Sequence, residues 1–465
     1  MEKLPKGWIK TTLENIAIWG AGGTPKRTVD TYYGGDIPWI KTGDLGPKWL
    51  STSSETITQS GLENSSAKFF NKGAVAIAMY GATIGKTSIL GIKAATNQAC
   101  AVGQPLAGVT SSKFLYYLLN NEKQRFIDKS KGGAQPNISQ AVIRRHEVYL
   151  PCLAEQERIV EKLEDLLGQV ATTQARLDQL PTIIKQFRQS VLAAAVTGQL
   201  TEEWRSSNEY QTVYGKKIPC SWTIEPAEKA CLRVQSGSTP RNNPFEQGGT
   251  VPFLKVYNIV DQKIDFAYRP QYITLEVSEK SDRSATIPGD ILMNIVGPPL
   301  GKIAIVSDQH PKWHINQAIT SFRVNPKKLL NTYLYYFLCE GDLVRDVMHE
   351  TKGIVGQINI SLTQCREALV PLPPIPEQEE IVKKVSEYFA LADVLESNLK
   401  NAKAQVDNLS QSILAKAFRG ELVDQQEGGE SAEVLLQKIA EARVEAELLE
   451  KATKKATRGR KTAKA

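Results

Sequence analysis

Two stretches of the chain place mainly apolar residues at alternating steps of four and three. The first stripe runs Ile159, Leu163, Leu166, Val170, Thr173, Leu177, Leu180, Ile184, Phe187 and Val191. The second runs Ile381, Val385, Tyr388, Ala392, Leu395, Leu399, Ala402, Val406, Leu409 and Ile413. A stripe of this period, kept for more than four heptads, predicts a long helix carrying a coiled-coil seam. At 1.5 Å per residue, each such helix is roughly 50 Å long. Pro181 predicts a kink or a break in the first helix, and the second has no proline there. The lead-in "VPLPPIPEQEEIV" is held extended by its prolines and puts acidic residues in the first helical turn. Gly198 and Gly420 are natural stops.

Elsewhere the pattern is that of short strands. "AVAIAMY", "ILMNIV" and "KIAIV" are apolar runs bounded by Gly, Pro and Asn turns. A helix-like "KFLYYLLNNEKQRF" or "TYLYYFLCEGDLVRDVM" follows late in each region. Each region therefore predicts an α+β domain built mainly on a sheet.

The two regions are copies. "AEQERIVEKL" at Ala154 answers "PEQEEIVKKV" at Pro376, and "SVLAAAVTGQL" at Ser190 answers "SILAKAFRGEL" at Ser412, both 222 positions on. "LPKGW" ending at Trp8 answers "IPCSW" ending at Trp222, 214 positions on. "GTPKR", "GGDIPWIK", "FLYYLL" and "NIS" find ordered counterparts at offsets that climb slowly between those limits. Such drift is the mark of a tandem duplication. The expected organisation is a domain over 1–150, a helical spacer over 151–200, a second domain over 205–372, a second spacer over 373–425 and a helical then basic tail over 426–465. Two equal helices offer each other a partner, so an intramolecular antiparallel pair would set the domains at opposite ends about a rough two-fold axis. Packing of each helix on its own domain, or on another subunit, is the alternative.

Charge adds a hint. Residues 1–150 carry 18 Lys and Arg against 10 Asp and Glu, and the last fifteen residues carry seven basic groups and no acid. A basic domain and a basic tail point to nucleic acid, although a basic tail alone also serves solubility. The near-neutral 201–372 segment shows that net charge by itself does not establish DNA binding. Six well-separated cysteines, no apolar span of membrane length and no apolar signal core predict a cytoplasmic protein with free thiols.

Catalytic patterns are missing. His310 and His314 have no HExxH context. "GATIGKTS", Gly81–Ser88, resembles a phosphate-binding loop but has three residues, not four, between its first glycine and the Gly-Lys pair. Its counterpart "GPPLGKIA", Gly297–Ala304, keeps the glycine spacing and the lysine but replaces the hydroxyl with Ile303. A strand-turn-strand element explains both.

"LPKGW", "GGTPKR", "GGDIPWIKTGDL", "PLPPIPEQEEIV" and "QSILAKAFRGEL" together resemble the specificity subunit of type I restriction-modification enzymes, over about residues 1–425. The resemblance implies two target recognition domains, each reading half of a split double-stranded DNA site. It implies that the helices separate the domains and dock two modification subunits. Ile159, Leu163, Leu166, Val170, Ile381, Val385, Tyr388 and Leu395 are the expected spacer and interface residues. S-adenosylmethionine for adenine methylation would then belong to the modification subunits, and ATP and Mg to restriction subunits, with no cofactor, metal or catalytic residue in this chain. A spacer of this length suits two readers about one helical turn of DNA apart, ~34–36 Å. Basic and amide residues beside glycine turns are the candidates for DNA contact. These are Lys26, Arg27, Lys86, Lys131, Gln135 and Asn137 in the first domain, and Arg241, Asn242, Lys302, Lys352, Gln357 and Asn359 in the second. Against them stands the reading that recurring residues keep the shared fold while differing residues read sequence. Trp39, Tyr116, Tyr117 and Tyr335 read as core. A non-catalytic protein-binding scaffold on a coiled coil is the alternative from another class.

Overall fold

The computed structural model describes residues 5–130, 136–207, 209–241, 245, 249–350, 359–425 and 430–462, with side chains at these positions except 349, 350, 450 and 452–462. It divides into two compact units, Met1–Leu177 with Ala402–Ala465, and Asp178–Asn401.

In the first unit one sheet is ordered Ala17–Ala21, Cys100–Pro105, Val75–Ala78, Thr87–Leu90 and Trp49–Leu50. A second sheet is ordered Glu55–Ile57, Tyr33–Ile40, Ala94–Thr96 and Phe69–Phe70. Its central pair, Tyr33–Ile40 with Ala94–Thr96, is parallel. All four residues of Val75–Ala78 are buried, so the run is continuously apolar rather than alternating. The alternation survives as size. Val75 and Ile77 face one apolar cluster, which includes Phe114 and Leu115 of the helix Ser112–Asn121. Ala76 and Ala78 face a second cluster with Ile40, Leu45 and Leu90. Successive residues of one strand thus serve two cores.

The second unit repeats this plan. One sheet is ordered Cys231–Ser236, Ile319–Val324, Ile291–Asn294 and Ile303–Ile305. The other is ordered Tyr272–Ile273, Val251–Leu254, Trp313–Ile315 and Ala285–Thr286, again with a parallel central pair. In each unit a short antiparallel pair ties the start of the domain to its end: Ile9–Thr12 with Glu147–Leu150, and Thr223–Pro226 with Leu369–Leu372.

The long helices are Leu153–Val196 and Ile375–Phe418. Pro181 lies inside the first, which runs through it as one element, so of the expected kink or break the break is absent. The surrounding turn explains the tolerance. The carbonyl that loses its amide partner is that of Leu177, which is half-buried, and the next four residues, Asp178 to Pro181, are all exposed, so water can reach it. Within the first unit the helices run antiparallel: Arg158 donates to the Asp424 carbonyl at 3.0 Å, and Gln174 donates to Asp407 at 2.8 Å. Within the second unit Arg188 reaches Asp393 at 2.6 Å and Glu396 at 3.4 Å, and Phe187 meets Tyr388 edge-on at 6.1 Å.

The seam is shared between two kinds of contact. Ile159, Leu163 and Val170 enter the first domain's core together with Ile413, Leu414 and Phe418, and Leu166 packs at its edge. Phe418 stacks obliquely on Phe114 at 5.3 Å. Ile381 and Val385 enter the second domain's core with Val191 and Leu192. Tyr388 and Leu395 remain exposed at 40% and 45%. Each helix therefore seats on a domain as well as running beside its neighbour.

The starts of both helices are locked alike. The indole of Trp8 donates to Glu155 at 2.9 Å, and that of Trp222 donates to Glu377 at 3.0 Å. Gly198 and Gly420, the expected stops, both sit at φ +75°. A Cβ on Gly420 would lie 2.3 Å from Pro5, and one on Gly198 2.9 Å from Pro219, so both turns also require a bare backbone. A last helix, Ala432–Thr462, buries Leu435 and Ile439 in the first unit's core.

Candidate nucleic-acid interface

The false phosphate loop is a β-turn element. Val75–Ala78 and Thr87–Leu90 pair antiparallel across it, as do Ile291–Asn294 and Ile303–Ile305 across its counterpart. The amide of Gly85 donates to the Ala78 carbonyl at 3.1 Å, and that of Gly301 to the Asn294 carbonyl at 3.3 Å. A strand follows Lys86, where a phosphate-binding loop would open a helix. The Thr87 hydroxyl is buried and donates to the Gly85 carbonyl at 3.0 Å.

Two further segments are laced to this turn, and a third is laced to one of those two. In the first unit Met79 donates to the Ala99 carbonyl and Ile138 to the Met79 carbonyl, both at 2.9 Å, while Tyr80 bridges Asn137. Gly23 donates to the Thr96 carbonyl at 2.9 Å, and the Thr24 hydroxyl donates to the Gln98 side-chain carbonyl. The second unit reproduces the lacing. Ile295 donates to the Ala318 carbonyl at 2.8 Å, Ile360 donates to the Ile295 carbonyl at 2.9 Å, and Val296 bridges Asn359. Ser238 donates to the Ile315 carbonyl at 3.2 Å, and the Thr239 hydroxyl to the Gln317 side-chain carbonyl at 2.6 Å.

This lacing brings several sequence candidates onto adjoining segments. Lys26, Lys86, Asn137, Arg241 and Asn359 are exposed, and Lys302 is half-buried. Exposed ammonium, guanidinium and amide donors on joined loops suit phosphate oxygens and base-edge acceptors. Arg27 differs. It pairs with Glu55 at 2.7 Å and lies over the rings of Tyr33 and Trp39 at 4.6 and 5.0 Å, so it is engaged inside its own domain. Hydrogen bonds from Arg27 and Lys41 hold the Glu55 carboxyl below its usual range. Lys131, Gln135, Asn242, Lys352 and Gln357 lie outside the described residues. Gln98 and Gln317 were not among the candidates. The signal was present, since the tripeptide Asn-Gln-Ala recurs at Asn97 and Asn316.

The aromatic residues read as core include Trp39, which is 1% exposed and donates its indole N–H to the Gly23 carbonyl at 3.0 Å, and Tyr117, also buried. His314 is fully buried between the hydroxyls of Ser278 and Ser284, each at 2.8 Å. Burial, with Lys312 nearby, pushes its imidazole down to about 4, so it is a neutral core group. Burial raises the thiols of Cys100, Cys231, Cys339 and Cys365 to about 12, which keeps them unreactive. Among the described residues no group of His, Cys, Asp and Glu could hold a metal ion, and no helix is long and apolar enough to cross a membrane.

Comparison with known proteins bears on this geometry. The family described as "Type I restriction modification DNA specificity domain" matches residues 5–182 and 231–403. The EcoKI specificity subunit of Escherichia coli (strain K12) is 30% identical over 456 residues, covering 94% of this chain and 96% of that one. The EcoBI specificity subunit of Escherichia coli is 34% identical over 345 residues, 71% of each chain. Among solved structures, the HsdS subunit from Thermoanaerobacter tengcongensis shares the fold with a TM-score of 0.59 at 18% identity, over 90% of this chain and 98% of that one.

Proposed function

The chain belongs to the type I restriction-modification DNA specificity family, and from that premise we propose that each of its two globular domains reads one half of a split double-stranded DNA site. The chain supplies the DNA sequence specificity of the system and is a recognition subunit rather than a catalytic one. The observation that carries the two-reader proposal is the loop set built twice on one hydrogen-bond scheme, with exposed Lys26, Lys86 and Asn137 in one unit and Arg241 and Asn359 in the other. Phosphate contacts from such groups position a protein on the duplex, and base contacts beside them select sequence.

The long helices act as the spacer that sets the unread gap between half-sites. They also dock two modification subunits. Exposed Tyr388, Leu391, Val394 and Leu395 on the second helix support this role, since apolar side chains left at the surface of a helix suit burial by a partner. The modification subunits would bring S-adenosylmethionine for adenine methylation, and restriction subunits would bring ATP and Mg. The complete assembly would act in the cytoplasm.

The test is methylome sequencing of a host that expresses the chain with its modification and restriction subunits. A split motif with a fixed gap is expected. A contiguous motif would overturn the two-reader assignment.

A further inference from the structure

We propose that Gln98 and Gln317 are a matched pair of DNA-backbone clamps, one in each reader, each pre-set by a threonine. The proposal rests on the two-reader assignment and adds residues and a contact type to it. Asn-Gln-Ala at 97–99 recurs 219 positions later at 316–318, although its flanks differ: Thr96 against Ile315, and Cys100 against Ile319. Both glutamines are exposed, so packing in the core does not account for their retention. Each lies on the loop laced to the Gly-Lys turn, through Ala99 and Met79 in one domain and through Ala318 and Ile295 in the other.

Each amide is also oriented. Thr24 donates to the Gln98 Oε1, and Thr239 donates to the Gln317 Oε1. With the carbonyl end engaged, the Nε2 group is left to donate outward. Among the described residues neither Nε2 has an acceptor. Fixing the rotamer beforehand lowers the ordering cost of a contact to DNA.

A contact that is identical in two readers cannot distinguish two different half-sites. It must go to what the halves have in common, and the sugar–phosphate backbone is common to all sequences. A neutral donor displaces no counterion, so its contribution is independent of salt, unlike that of Lys86.

The test uses the full-length chain assembled with its modification subunit, on its methylome-defined target and on unrelated duplex DNA, across a salt series. Gln98→Ala and Gln317→Ala should each raise Kd about three- to tenfold, as expected for one lost hydrogen bond. The loss should be equal on both DNAs, with the salt slope and the methylated motif unchanged. Gln98→Glu, which keeps the acceptor for Thr24 but removes the donor, should bind at least as poorly. Lys86→Ala should instead flatten the salt slope by about one unit. Wild-type affinity in both alanine variants, with unaltered melting temperatures, would overturn the proposal. So would a motif that becomes degenerate at one position, since that result identifies a base reader. Failure of the wild-type assembly to prefer its methylated target would count against the two-reader assignment instead.

Discussion

At the scale of single residues, burial decides which chemistry-bearing side chains are available. His314, four positions from His310 and without an HExxH context, lies between two serine hydroxyls in the second domain's core. Its folded value of about 4 lies below the ordinary 6.5. Between these values the unfolded chain binds a proton that the folded chain does not. The stabilisation is therefore complete above pH 6.5 and is lost as pH falls toward 4, by up to about 3 kcal/mol. Urea unfolding of the wild type and of His314→Gln at pH 7 and pH 4.5 should show a steeper acid loss in the wild type. Equal losses would contradict the assignment. The candidate site was partly legible at this scale. Lys86, Lys302, Asn137 and Asn359 could be found because they flank glycine turns that recur in both copies. The engagement of Arg27 by Glu55 was not legible, because Arg27 lies in a turn and Glu55 on a later strand, and the two meet only in the folded domain. Gln98 and Gln317 were legible only as a repeated tripeptide, and their orientation depends on threonines more than seventy positions away.

At the scale of elements, the heptad stripe predicted both long helices and their antiparallel course. The pattern could not say which part of a stripe would face a neighbouring helix and which a domain, because both surfaces take apolar residues at the same spacing. Ile159 and Leu163 fill a domain core, whereas Leu395 of the same pattern is exposed. The helix starts differ in an informative way. Glu377 accepts from Trp222, from Thr201 at 2.8 Å and from Arg205 at 2.6 Å, and the Arg205 side chain is only 7% exposed. Glu155 accepts from Trp8 and from Gln425, both neutral. Glu377→Ala leaves a buried guanidinium without its carboxylate and should cost about 3–5 kcal/mol. Glu155→Ala removes neutral hydrogen bonds and should cost about 1–3 kcal/mol. Denaturant titration of the two variants should give that order, and the reverse order would contradict the reading of Arg205 as a buried partner.

At the scale of the whole molecule, the duplication was visible in the sequence but the sheet plan was not. The strands are mostly two to six residues long, and each domain pairs parallel strands far apart in sequence, such as Trp39 with Ala95 and Phe253 with His314. No local pattern specifies such pairings. The same four-strand orders recur in both units, so the two domains share one design, and the first unit adds Trp49–Leu50 at one edge. If those helices set the gap, one heptad inserted into each at matched levels, after Gln174 and after Val406, adds roughly 10 Å. The methylated motif should then carry a gap about three base pairs longer, at 3.4 Å per pair, or methylation should be lost. An unchanged gap would argue against the spacer role. Whether each domain reads its own half-site is decided by methylome sequencing after residues 1–150 are replaced by the corresponding domain of another specificity subunit. A motif with one half replaced, and with the other half and the gap retained, is expected. A change in both halves, or in neither, would contradict it.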